Sequence, residues 1–259
     1  MIICPRLGIP VRPIDCLKCE NPCAPRNFLY SLLDYVNFVE ELEEEGINVI
    51  GVSEVTDCIR RAYWRRVELL EPLSWDSLVR IMIGSAGHQR MAEAGNFSLM
   101  WTELPVAVRV NSSWMLLGRI DAYDPLRREL WELKTTSAWA HKNGKLPYEQ
   151  HIWQVAIYRW MLRKNGLEPE RVRILYMFRD ARRSDWQWVD YDVTNKLPSD
   201  GEIEERVNSF VEQLKRALEQ RDPSMLPLPD ESERYKCEGC PWRNKCLALR
   251  QGQQLLVEV

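Results

Sequence analysis

The chain has 259 residues and 45% apolar content, enough for one large domain or a core with appendages. A net charge of −3 excludes a globally basic nucleic-acid binder, so any grip on phosphates has to come from local patches. No run is long and apolar enough to span a membrane and the N-terminus lacks a signal-peptide core, which reads as a cytoplasmic protein. Eight cysteines in a reducing compartment then point to metal or cluster ligands rather than disulfides.

Residues 1–26 are rich in proline and cysteine and hold Cys4, Cys16, Cys19 and Cys23. The spacing predicts a helix from Asn27 to about Glu45, ended by Gly46. Ser53 is expected to cap the next helix, whose last part is Cys58-Ile-Arg-Arg-Ala-Tyr-Trp-Arg-Arg66. Arg60, Arg61, Arg65 and Arg66, with Tyr63 and Trp64 between them, suit a DNA strand gripped by phosphate contacts and stacking; the alternative is a solvated helix face. A second basic cluster is Arg179, Arg182 and Arg183. A further helix runs from about Ser74 to Ala94 and carries His88.

The period then changes to strands. Leu99–Val110 reads as one strand and carries Glu103, either a group behind a metal site or a solvated strand residue. Trp114–Asp124 and Glu129–Thr136 read as a hairpin turning at Pro125–Arg128. In the symmetric register Asp121 faces Glu132, with Cβ atoms about 4.5–5.5 Å apart. Two carboxylates that close need a proton or a cation between them. Lys134 falls on the same strand face as Glu132. Two acids and a lysine at one spot suit a divalent-metal hydrolase; the bland alternative is an exposed salt bridge.

Tyr148–Lys164 is a predicted helix with Gln154 and Tyr158 on one face, stopped by Asn165-Gly166. Strands follow at Arg171–Arg179 and Trp186–Val193, then an amphipathic helix at Glu202–Gln220. A linker, Asp222–Pro229, leads to Cys237, Cys240 and Cys246. The order predicts an α/β fold with a mixed central sheet flanked by helices. Three regions are expected: an N-terminal cysteine module and helix (1–50), a core (51–222), and a C-terminal cysteine region (223–259) packing with Cys58.

The series His88, Gly118-x-x-Asp121, Glu132-x-Lys134 and Gln154-x-x-x-Tyr158 resembles, in order and spacing, the RecB-type branch of the PD-(D/E)XK nucleases, over roughly Ser53 to Arg250. The Pro-Asp of the superfamily name is absent, since Ile120 precedes Asp121; this branch commonly has Gly-x-x-Asp. The resemblance implies a restriction-endonuclease-like core and metal-dependent DNA hydrolysis. Asp121 and Glu132 would bind Mg²⁺ or Mn²⁺, with the Leu133 carbonyl and His88 as further ligands, the imidazole favouring Mn²⁺. Lys134 would hold the attacking water, Gln154 would orient Lys134 or the phosphate, and Tyr158 would contact the DNA strand.

Cys237-x-x-Cys240-Pro241-x4-Cys246 supplies three soft ligands, and Cys58 is the natural fourth. Spacing alone does not separate zinc from iron–sulfur. One cysteine before the nuclease motifs and three after them resemble the iron–sulfur-stapled RecB-like nucleases, which implies a [4Fe–4S] cluster, with [2Fe–2S] or structural zinc as alternatives. Among these, a chain with no helicase motif fits the CRISPR-associated protein four (Cas-four) family. Cys4, Cys16, Cys19 and Cys23 depart from that pattern; a four-cysteine zinc site fits their spacing, with a second cluster or unliganded thiols as alternatives. The expected function is trimming of single-stranded DNA or overhangs during CRISPR spacer acquisition, with the integrase as partner. The alternatives are the same chemistry in repair, recombination or viral replication, and a non-catalytic DNA-binding scaffold.

Overall fold

A computed structural model describes residues 46–68, 82–90, 100–180 and 187–250, with isolated positions at 2, 3, 6, 10, 11, 19, 42 and 93. Most of the helix expected at Asn27–Glu45 lies outside these residues, as do Cys4, Cys16 and Cys23. Gly46 carries a φ of +75°, in keeping with its reading as a helix stop. Ile2–Ile3 and Pro10–Val11 form a separate two-residue antiparallel pair.

Among the described residues the main sheet has six strands: β1 (Asn48–Gly51), β2 (Trp101–Asn111), β3 (Trp114–Asp124), β4 (Glu129–Thr136), β5 (Arg171–Phe178) and β6 (Trp188–Asp192). β1–β3 and β4–β5 are parallel; β2–β3, β3–β4 and β5–β6 are antiparallel. The sheet is therefore mixed, as the alternation of helix and strand patterns predicts. β1 was not foreseen: Asn48–Gly51 is too short to show a period, and it straddles the expected domain boundary at residue 50.

Helices α1 (Val52–Val55), α2 (Ile59–Val67), α4 (Ala138–Lys142), α5 (Glu149–Lys164) and α6 (Asp200–Gln220) accompany the sheet, and residues 82–90 form α3. The single helix expected from Ser53 to Arg66 is two. The N-cap of α1 is Gly51, and Thr56 ends it, with Oγ1 bonded to the Val52 and Ser53 carbonyls; Cys58 then starts α2. α6 opens with a capping box in which Ser199 and Glu202 satisfy each other's backbone N–H groups. Its buried stripe of Ile203, Val207, Phe210, Val211 and Leu214 packs with Tyr63 and Trp64 of α2 in the core.

The feature that positions the site is a split in the sheet. A strand has two edges, and β2 occupies one edge of β3 along its length. β1 and β4 must therefore share the other. Along that edge β1 pairs with Trp114–Leu117 and β4 with Ala122–Asp124. Gly118, Arg119, Ile120 and Asp121 lie in the interval between them, where β3 and β4 part.

Candidate active site

The Gly-x-x-Asp run fills that split with side chains. The hairpin register is the symmetric one: Ala122↔Trp131, Tyr123↔Leu130 and Asp124↔Glu129, with Asp124 Oδ1 accepting from the N–H groups of Leu126 and Arg127 to fix the turn. The next pair in that register would be Asp121 and Glu132. There the ladder stops, and the Asp121 Oδ2 accepts the Leu133 N–H at 2.6 Å in place of a backbone carbonyl. On the other side of the gap the Arg119 backbone lies close enough to the Tyr158 hydroxyl to lower its pKa against burial. A Cβ at Gly118 would stand 2.6 Å from Tyr158 Cε1 and 3.0 Å from Val52 Cγ2, so only glycine leaves room for that ring.

Asp121 is the hub. Its Oδ1 lies 2.7 Å from His88 Nδ1 on α3, and the Glu103 Oε1 is 3.8 Å from the same nitrogen. Ligand atoms of His88, Glu103 and Asp121 all fall within 4.8 Å of one another. Burial pulls the His88 pKa down, but its hydrogen bond to Asp121 and the charges of Asp121 and Glu132 outweigh this and raise it. α3 sits close because Gly87 faces Met177 and Leu133 without a side chain of its own.

Glu132 is 2% exposed. Its Oε1 accepts from Lys134 Nζ at 2.6 Å, whereas its Oε2 is buried with no partner among the described residues. Burial pushes its pKa up to about 7, Lys134 opposes the rise, and Asp121 adds to it. A buried carboxylate oxygen with no donor, beside a second carboxylate and an imidazole, fits a divalent cation: hard oxygen donors plus one nitrogen suit Mg²⁺ or Mn²⁺.

Behind Lys134 lies a group the sequence reading did not name. His151 Nδ1 is 2.9 Å from the Tyr176 hydroxyl, which also accepts the Tyr148 N–H. Tyr176 is the β5 residue paired with Lys134. Burial, with the Lys134 charge, lowers the His151 pKa to about 3, so its ring is neutral. The available signal was its position three residues before Gln154, on the same side of α5.

Three expectations are corrected: Tyr158 as a DNA contact, Gln154 as a partner of Lys134, and the arginine-rich helix as a strand track. Tyr158 is only 5% exposed, too enclosed to meet a DNA strand; its ring plugs the split in the sheet. Gln154 Nε2 donates to the Tyr158 hydroxyl at 3.4 Å, and among the described residues no hydrogen bond joins it to Lys134. The arginine-rich helix is not an open strand track either. Arg60 is 7% exposed and holds the Leu226 and Ser224 carbonyls. Arg66 is bound to Glu54 and to the Val49 and Ala62 carbonyls, and Arg61 to Asp57. Arg65 is the exposed member of the set. Tyr63 and Trp64 are core residues. Of the second basic cluster, Arg179 is exposed, and Arg182 and Arg183 lie outside the described residues.

The C-terminal cysteines return to Cys58. Lys236 Nζ donates to the Thr56 carbonyl, Lys245 pairs with Glu68, and Cys240 and Cys246 pack against the core. Cys246 is near enough to couple electrostatically to both Cys58 and Cys240, and Cys237 to Cys240. Cys58 stands at the start of α2, where the backbone N–H groups of Arg61 and Arg60 work against burial and lower its pKa. Such donors favour a thiolate ligand, although burial raises the thiol pKa of the metal-free chain to about 11. Cys58, Cys237, Cys240 and Cys246 are all free, as is the exposed Cys19.

The fold is shared with the crystal structure of SSO0001, at a TM-score of 0.54 and 17% identity over 84% of this chain and 97% of that one. Weaker likenesses are to an alkaline exonuclease (LHK-Exo) from Laribacter hongkongensis, TM-score 0.47 and 14% identity over 70% of this chain and 95% of that one. A phage-related exonuclease from Haemophilus somnus 129PT gives 0.46 and 10% over 66% and 94%. No curated protein matches the chain. Residues 53–247, three-quarters of the chain and every motif at the split sheet, match one family, so the chain belongs to the PD-(D/E)XK nuclease superfamily and is a nuclease.

Proposed function

We propose that this nuclease hydrolyses DNA with a divalent ion held by Asp121, Glu132 and His88, trimming single-stranded ends or overhangs. The observation that carries this is the convergence of the two carboxylates, His88 and Lys134 at the split between β3 and β4, with Glu132 Oε2 left without a donor among the described residues. A bound ion would polarise the scissile phosphate and lower the pKa of its water. The chain's own residues do the rest. Asp121 is held by the Leu133 N–H and so presents Oδ1 in one orientation. Lys134 occupies one oxygen of Glu132 and, itself one-fifth exposed, reaches the cleft where the attacking water would sit. The neutral His151 adds no positive charge beside Lys134, which preserves the lysine's own hold on an anionic phosphate or hydroxide. Arg119, exposed and next to the acids, suits a phosphate of the bound strand.

On the same proposal the protein is of the Cas-four type and prepares DNA ends for CRISPR spacer acquisition together with the integrase. Support comes from the cysteine arrangement: Cys58, Cys237, Cys240 and Cys246 would hold an iron–sulfur cluster, [4Fe–4S] before [2Fe–2S] or zinc, tying the C-terminal segment to α2. Cys4, Cys16, Cys19 and Cys23 would hold a separate zinc. Anaerobic purification followed by total iron and zinc per chain tests both cysteine groups. A colourless protein without iron would sink the cluster. End-labelled single strands, overhangs and blunt duplexes, each with Mg²⁺ or Mn²⁺, test the substrate. The proposal requires single strands and overhangs to be cut well ahead of blunt duplex; equal cutting of all three would rule out end trimming.

A further inference from the structure

Glu103 stands out on backbone grounds. It is the third residue of β2, yet its φ is +50°, the left-handed region that a glutamate in a strand rarely occupies. The β2–β3 register runs through Thr102↔Ala122 and Leu104↔Ile120, so Glu103 is the residue across from Asp121, and that pair is missing from the ladder. Its side chain is held at both oxygens. Oε2 accepts from Arg119 Nε at 2.8 Å, and Oε1 faces His88 Nδ1 at 3.8 Å, within the same ligand cluster as Asp121. A partnership with Arg119 alone does not account for the backbone. Arg119 is 63% exposed, and an exposed ion pair is too weak to hold a strained residue in a strand. Backbone strain of this kind persists where the surroundings over-determine it, above all at functional sites.

We propose that Glu103 is a further carboxylate ligand of the divalent ion, beside His88 and Asp121, and that the left-handed turn in β2 serves to aim it there. The inference rests on the reading that this site holds a divalent ion. Arg119 would steady the outer oxygen of Glu103 while the inner one meets the metal, a division of labour common to ligating carboxylates.

The test is Mn²⁺ titration of the full chain, followed by the electron paramagnetic resonance signal of free Mn²⁺, beside metal-free thermal melts. Glu103→Gln keeps the shape and removes the charge; Glu103→Gly removes the ligand and relieves the backbone. Both should bind Mn²⁺ at least about tenfold more weakly than wild type. Glu103→Gly should melt at or above the wild-type temperature without metal; a lower melting point would overturn the strain argument. Wild-type Mn²⁺ affinity in Glu103→Gln, alongside loss in Asp121→Asn, would overturn the Glu103 assignment and leave the metal site standing. Absence of Mn²⁺ binding by the wild-type chain would instead remove the reading on which the assignment rests.

Discussion

Gly118→Ala is the sharpest probe of how the split sheet is built. The added Cβ would meet Tyr158 Cε1 at 2.6 Å, Val52 Cγ2 at 3.0 Å and Tyr158 Cδ1 at 3.2 Å. Tyr158 cannot swing aside: its ring is 5% exposed in the core, and its hydroxyl accepts from Gln154. Overpacking of this kind costs about 1–3 kcal/mol. The reduced freedom of alanine in the unfolded chain returns about 0.4–1 kcal/mol, so the net loss is about 1–2 kcal/mol. For a domain of this size that lowers Tm by roughly 2–8 °C. Because the displaced ring lies beside Arg119 and Asp121, cleavage should fall more than stability does. Thermal melts and single-turnover DNA cleavage measure both. In the double variant Gly118→Ala/Tyr158→Leu the smaller side chain makes room, so its loss should be less than the sum of the single losses by about 0.5–2 kcal/mol. A Gly118→Ala protein with wild-type Tm and activity would refute the account of Tyr158 as the plug of the split.

Three further outcomes follow from the geometry. Lys134→Ala should lower the cleavage rate about 10²–10⁴-fold at saturating metal while Mn²⁺ binding persists, because the lysine acts on the water and on Glu132 rather than as a ligand. Burial lifts Glu132 from an ordinary 4.5 to about 7, and the Asp121 hydrogen bond prevails over burial to raise His88. For both groups the folded metal-free chain binds protons that the unfolded chain gives up more readily, so the Glu132 contribution to its stability falls as pH rises from about 4.5 through about 7, and the His88 contribution falls as pH rises above the ordinary imidazole value of 6.5. Mn²⁺ needs both groups deprotonated: its affinity should rise over the same window with proton release, seen by calorimetry in buffers of different ionisation enthalpy. Arg60→Ala should cost about 1–3 kcal/mol by chemical denaturation, since it strands the buried Leu226 carbonyl, and leave DNA affinity unchanged.

Much of the site was legible because its residues lie close in sequence on a hairpin whose turn is set by Pro125–Arg128. Two-residue periodicity then fixes the Asp121–Glu132 register and puts Lys134 beside Glu132. The long helices α5 and α6 were legible for the same reason, since sixteen and twenty-one residues of period 3.6 outweigh local ambiguity. Elements without a period of their own were not: β1 exists only by pairing with Trp114–Leu117, and α4 is a single turn capped by Ser137. The roles of Arg60, Arg66 and Tyr158 were misread because composition reports which groups a helix carries, not which way the core turns them. Tyr63 and Trp64 give that helix a buried face, and its arginines are drawn into caps and ion pairs around it. Glu103 could not be placed because its role depends on one left-handed residue that strand periodicity does not predict.

The most direct test of the central claim is metal-dependent cleavage of an end-labelled single strand by wild type and by Asp121→Asn, with Mn²⁺ binding measured on the same preparations. The substitution keeps the volume of the side chain and removes the charge that sits between His88 and the Leu133 N–H. The account predicts Mn²⁺-dependent cleavage by wild type, abolished by chelation, and loss of both binding and cleavage in Asp121→Asn with the fold intact. Undiminished cleavage by Asp121→Asn, or by wild type stripped of divalent ions, would contradict it.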